Sequence, residues 1–337
     1  AAAAAAAAAA AIGGCDWSAL LDAGLDEEAR LFRELESHDQ SRALQYAFFA
    51  ERGTCKEASE AKPREVRSVG VVGSGTMGCG IAMALLDAKP TGQPQGKGGL
   101  LEVVLVDQTE EAVLAGKARI EATYRRSRKF NNSGDDKEAQ LAEKLKRLTV
   151  VASGSSKDGG GGDYSSLSNA DLVVEAVVED LGVKQKLFCS LAKHCKPSAV
   201  LASNTSTLSI DGIAQALKQK DGCDNQGASG SSASRVVGMH FFSPAHVMRL
   251  VETVAGDESS GEALATAMAL GKRLGKVPVL AGNCFGFIGN RMLEGYGHEA
   301  CFAVEEGAQP EQVDAVLTEF GMAMGFFAMS SATLRHH

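Results

Sequence analysis

Six residues open the chemistry of this sequence. Positions 73–78 read Gly-Ser-Gly-Thr-Met-Gly, a G-x-G-x-x-G pattern. It follows a short β-branched run at 68–72 and precedes a helix predicted over 81–88, the context that gives the pattern meaning. There Gly73 permits a tight turn, Gly75 lets the backbone approach a pyrophosphate, and Gly78 lets helix and strand pack closely. The phosphates would lie at the positive end of the helix entered through Thr76 and Met77. A bound dinucleotide also needs an acid at the end of the next strand, about 20 residues on. Asp107 closes the apolar run 103–106 but stands 29 residues beyond Gly78. The glycine-rich stretch 89–99 accounts for the excess as a surface insertion, which costs little closure entropy. Asp107 would bind the ribose hydroxyls, and its charge would repel a 2′-phosphate, so NAD is preferred to NADP. The competing readings are a βα turn without a ligand and an ordinary turn aspartate.

These residues need a scaffold, and the remaining pattern provides one. Short apolar runs at 68–72, 100–106, 148–152, 171–176, 200–203, 235–240, 249–255 and 277–281 read as strands. They alternate with helical segments at 109–129, 181–194, 210–217 and 261–274. That alternation implies an α/β, doubly wound Rossmann-type sheet, mostly parallel, over 66–282. From 283 to 337 the pattern turns helical, at 287–306 and 310–320, with Pro310 suited to a helix start. Ahead of the sheet, 25–52 reads as one or two helices. Residues 1–24 begin with eleven alanines and are expected to be disordered, so 1–65 forms an Ala-rich start plus a connector helix.

Composition sets outer bounds. Of 337 residues, 45% are hydrophobic and 23% charged, as in an ordinary globular chain. The net charge of −8 offers no basic footprint, so no nucleic-acid partner is expected. No apolar run reaches the roughly 18 residues of a membrane span. The eight cysteines form no C-x-x-C pair, which suggests a reducing compartment and no zinc site. The stretches 89–99, 153–163 and 218–234 hold much of the glycine excess and read as insertions.

Several segments, in order, resemble the 3-hydroxyacyl-CoA dehydrogenases: GSGTMGCGIA at 73–82, DLVVEAVVEDLGVK at 171–184, ASNTSTL at 202–208, GMHFFSPAHVMRLVE at 238–252 and NCFGFIGNR at 283–291. The sequence HFFSPAH at 240–246 and the helix LQYAFFAER at 44–52 look most like the dehydrogenase part of peroxisomal multifunctional β-oxidation enzymes. The resemblance implies NAD-dependent oxidation of (S)-3-hydroxyacyl-CoA to 3-oxoacyl-CoA. Residue chemistry fits such a reaction. Oxidising a secondary alcohol requires a base for the O–H proton, and histidine titrates near working pH. A carboxylate on its other nitrogen fixes the tautomer and stabilises the imidazolium. His240 ends a strand, and Glu252 lies on the next extended segment, beyond a turn at Pro244. A chain reversal between them would bring the two together, and the resemblance makes them the catalytic pair. Ser206, past the 200–203 strand, could hydrogen-bond the reacting oxygen, and Asn290, on the first helix after the sheet, could polarise it. The alternatives are a helix cap near Ser206 and an exposed amide at Asn290. His246 is read as structural.

The resemblance further implies that Glu179, Lys184 and Asn204 line the nicotinamide and its ribose, although Glu179 and Lys184 could instead be a surface helix pair. Lys129 is the nearest match to a lysine meeting coenzyme A, and a solvated helix face is an equal reading. The resemblance breaks near 324–337, where Phe326 replaces an expected proline. The chain is expected to be the middle of a multifunctional enzyme, with a shortened helical domain, exposed apolar surface over 287–327 and a weakened homodimer. The resemblance implies a peroxisome, without an S-K-L tail at 335–337; mitochondrion and cytosol are alternatives. Two other functions stay open: a non-catalytic NAD-binding fragment, and a β-hydroxyacid dehydrogenase acting on a substrate without CoA.

Overall fold

The computed structural model describes residues 17–54, 61–90, 99–127, 136–154, 162–218 and 231–334. The chain divides into two compact units, Ala1–Gly53 and Thr54–His337.

The first unit holds helices α1 (Trp17–Ser37) and α2 (Asp39–Gly53), so the segment 25–52 is two helices, parted at His38. Helix α1 begins at Trp17, inside the stretch expected to be disordered. Strong helix formers explain the extension, and Arg30 braces the helix by pairing with Glu27 and Glu34, one turn to either side. Phe32, Leu35, Leu44 and Phe49 stay exposed.

The second unit is built on β1 (Ser68–Val72), β2 (Glu102–Asp107), β3 (Leu148–Ala152), β4 (Leu172–Glu175), β5 (Val200–Ser203), β6 (Val236–Phe241), β7 (Leu250–Ala255) and β8 (Val277–Gly282). They form one sheet in the order β3-β2-β1-β4-β5-β6-β7-β8. Every neighbouring pair is parallel except β6 and β7, which run antiparallel. The inner strands are valine- and leucine-rich and buried along their length, as a sheet covered on both faces requires. One face is covered by α3 (Thr76–Leu86), α4 (Glu110–Arg126), α5 (Lys137–Leu145) and α8 (Gly261–Arg273), through Ile81, Leu85, Ile120, Leu141 and Leu264. The other is covered by α6 (Leu181–His194) and α7 (Ile210–Gln215), through Leu187, Phe188, Leu191 and Ile213.

Thr109, Asp180, Ser209 and Ser260 cap α4, α6, α7 and α8, each accepting a backbone N–H. Helix α3 differs: its cap position is Gly75, and no side chain covers its first turn. It also starts at Thr76, five residues before the predicted helix, because glycines that deter a helix on propensity are used here for packing.

After β8 come α9 (Gly289–Glu305), α10 (Pro310–Phe320) and α11 (Phe326–Leu334). Pro310 opens α10, as expected, with a reciprocal Gln309–Gln312 capping box. Helices α5 and α11 were not anticipated. The start of α11 is held by Asp314, whose carboxylate accepts the N–H groups of Phe327 and Ala328. Apolar exposure is marked at Met292, Tyr296 and Phe320, whereas Phe287, expected among the exposed residues, is buried.

Candidate active site

The glycine loop joins β1 to α3. Gly73 has φ +104°, and its N–H donates to the Val106 carbonyl at 2.8 Å. A Cβ there would lie 2.4 Å from the Ala176 carbonyl oxygen, and one at Gly78 only 1.8 Å from that of Gly73. Both positions therefore need glycine for the fold alone. Gly75 does not: nothing lies within 4 Å of where its Cβ would sit. Open space over an uncapped helix start, at Thr76, Met77 and Gly78, is a cradle for an anion.

Asp107 is the last residue of β2 and turns toward this loop. One carboxylate oxygen accepts the Ser74 N–H at 2.6 Å and the Ser74 hydroxyl at 2.7 Å, and the other accepts the Gln108 N–H at 2.7 Å. The acid that the spacing put 29 residues away thus stands beside the phosphate cradle. The donor set fits a dinucleotide: backbone N–H groups for phosphate and a carboxylate for ribose hydroxyls.

Strand order reverses between β1 and β4, and there a second set of groups gathers. Lys184, 1% exposed, is no surface residue: its ammonium pairs with Glu175 and, at 3.2 Å, with Glu179. Glu175, fully buried at the end of β4, also accepts the Ser203 hydroxyl at 2.6 Å and the Val177 N–H at 2.8 Å. Glu179 accepts the Thr205 hydroxyl and, at 3.0 Å, the Ser206 N–H. Burial opposes the charge on Glu179, yet the Thr205 hydroxyl, the Lys184 ammonium and the Ser206 N–H hold its carboxyl below the usual range. Ser206 is not the helix cap; Ser209 fills that role, accepting the Gly212 N–H. The Asn204 side-chain oxygen accepts the Phe241 N–H at 2.9 Å, which ties the β5 turn to the end of β6.

On β6 and β7 the antiparallel register sets His240 opposite Glu252. Imidazole Nδ1 and a Glu252 oxygen are 2.7 Å apart, and both side chains are buried. The reversal expected at Pro244 thus brings the two residues together. The other Glu252 oxygen accepts the N–H groups of Ile288, at 3.1 Å, and Gly289, at 2.7 Å. One carboxylate therefore holds the imidazole and the start of α9, where Asn290 sits half-buried in the first turn. Phe242 and Phe287 flank the imidazole with ring centroids 4.5 and 5.7 Å away. Phe287 has φ +47°, a strained conformation for a bulky residue.

Two contributors escaped the sequence reading. One is Glu175. The other is Lys276, whose ammonium donates to the Ala245 and Met248 carbonyls, both at 2.7 Å, and clasps the turn after His240; burial lowers its pKa. Lys129 lies outside the described residues.

A doubly wound sheet with a glycine loop, an acid ending β2 and an imidazole–carboxylate pair on its strands defines an NAD-binding oxidoreductase. The family model for the 3-hydroxyacyl-CoA dehydrogenase NAD-binding domain matches residues 68–284, and that for the C-terminal domain matches residues 286–333. The chain belongs to the 3-hydroxyacyl-CoA dehydrogenase family. It is 38% identical over 314 residues to the peroxisomal bifunctional enzyme of Danio rerio, covering 91% of this chain and 38% of that protein. It is 39% identical over 317 residues to the Homo sapiens counterpart, covering 92% and 38%. The chain thus spans about two fifths of the length of these relatives. Among solved structures it is similar to FadB2 of M. tuberculosis, with a TM-score of 0.63 and 32% identity, covering 78% of this chain and 80% of that one. It is also similar to 3-hydroxybutyryl-CoA dehydrogenase of Escherichia coli, with a TM-score of 0.62 and 35% identity, covering 78% and 48%.

Proposed function

We propose that the protein oxidises (S)-3-hydroxyacyl-CoA to 3-oxoacyl-CoA with NAD, within fatty-acid β-oxidation. The observation that carries this reading is the buried 2.7 Å pair of His240 and Glu252, tied through Glu252 to the helix bearing Asn290.

With Nδ1 engaged by Glu252, His240 uses Nε2 to take the substrate hydroxyl proton. Glu252 fixes the tautomer and stabilises the imidazolium that results, and the N–H groups at the start of α9 hold its carboxylate in place. The Ser206 hydroxyl and the Asn290 amide hold the reacting oxygen as the alcohol becomes a ketone. Bound NAD would supply the hydride acceptor, so that two electrons would leave the alcohol carbon as hydride while His240 takes the proton. Asp107 selects NAD by hydrogen-bonding the ribose and repelling a 2′-phosphate. Phe242 and Phe287 keep water from the imidazole. Names of the relatives support a peroxisomal setting, and the exposed apolar residues of α9 and α10 support self-association.

The test is NADH oxidation with acetoacetyl-CoA. His240→Gln is expected to lower turnover by about a thousandfold while NAD affinity changes less than about twofold. Unchanged turnover overturns the reading.

A further inference from the structure

We propose that Glu175 is a specificity-determining residue for the oxidation state of the cofactor, by leaving one uncompensated negative charge beneath the nicotinamide. The proposal rests on the function proposed above, and it deepens it at a residue with no place in the proton transfer.

The location follows from the sheet. Asp107 at the end of β2 marks the adenosine side, the glycine loop after β1 marks the pyrophosphate, and His240 on β6 marks where hydride leaves. The strands between are β4 and β5, so the nicotinamide riboside must cross their carboxyl ends. Glu175 is the last residue of β4, and the next residue's carbonyl abuts Gly73.

The charge follows from the ion pairs. Glu175 and Glu179 share the single ammonium of Lys184. Two carboxylates and one cation leave one negative charge. The other donors to Glu175, the Ser203 hydroxyl and the Val177 N–H, are neutral, as are the Thr205 hydroxyl and Ser206 N–H on Glu179. None of these neutral donors cancels it. The oxidised nicotinamide ring is cationic and the reduced ring neutral. A fixed negative charge in a poorly solvated site therefore favours NAD+ over NADH.

Glu175 also links the pieces around it. Its backbone carbonyl accepts the Asn204 N–H at 2.9 Å, and Lys184 connects it to the Glu179 carboxylate that seats Ser206. Losing these geometric links would affect both forms of the cofactor alike. Losing the charge affects only the cationic one.

The experiment measures dissociation constants for NAD+ and NADH separately, by titration of the full chain and of Glu175→Gln. The variant is expected to weaken NAD+ about tenfold and NADH less than threefold, so that the ratio of NAD+ affinity to NADH affinity falls. If both weaken together, or neither changes in a folded variant, the proposal is overturned. Should Glu175→Gln fail to fold, Glu179→Gln removes the same charge from the partly exposed end of the network. Any lost ribose contact there weakens both forms equally, so the ratio isolates the charge: a fall of about tenfold supports the proposal and an unchanged ratio overturns it. Wild-type protein that binds neither form overturns the underlying reading instead, which separates the two failures.

Discussion

The glycine loop and the His240–Glu252 pair are made of different material. The loop works with backbone: the open face of Gly75, the tight approach of Gly78 to Gly73, and N–H groups at a helix start. The pair works with side chains, aligned by the register of two antiparallel strands and fastened to α9. A backbone site is specified by what a position must lack, a side-chain site by what a distant element must supply. The first is local in sequence, and the second depends on the whole carboxyl edge of the sheet.

Perturbing each region sharpens that difference. The largest effect is expected from Glu252→Ala, which removes the imidazole's partner and uncovers two N–H groups of α9. Activity with acetoacetyl-CoA should fall by about a thousandfold or more. Retention of a tenth of the activity would contradict the role given to Glu252.

The glycines should divide next. Gly78→Ala must force a methyl into a space 1.8 Å from a backbone oxygen, and a loss of at least about 3 kcal/mol of stability is expected. Gly75→Ala meets nothing within 4 Å, so its melting temperature should match wild type while the KM for NAD rises about tenfold. Equal melting temperatures for the two variants would break the distinction between a packing glycine and a ligand glycine.

The smallest effect concerns acid stability. The Glu179 carboxyl is held below its ordinary range in the fold, so it stabilises the native state above about pH 4.3. That contribution is lost as pH falls through the depressed native value. Melting temperatures of wild type and Glu179→Gln should converge as pH falls through the depressed native value, and curves that stay parallel would show that Glu179 is not responsible.

Much of this architecture was legible from residues. The β-branched runs become strands, three of them with the predicted bounds, because a run apolar on both faces has no other place to go than a covered sheet. The opposition of His240 and Glu252 could be anticipated because Pro244 signals a turn between two extended segments. What stayed hidden depends on partners remote in sequence. Glu175 ends an apolar run and looked like the close of a strand; only the fold shows that Lys184 and Ser203 meet it. Lys276 gives no local signal, since its two carbonyl partners lie 28 and 31 residues upstream. Helix α5 is only 9 residues long, with Leu141 alone buried, so its periodicity is too weak to mark it. Helix α11 depends on Asp314, 13 residues ahead of the first N–H it accepts.

The double engagement of Glu252 has an outcome for how the molecule comes on line. The acid that aims the imidazole is itself held by the first turn of α9. A chain whose sheet has formed but whose α9 is unseated would keep only one of the three hydrogen-bond partners of Glu252, the imidazole itself. Under the function proposed above, such a copy is expected to keep its glycine loop while its imidazole lacks a fixed partner, so that activity depends on a helix outside the sheet.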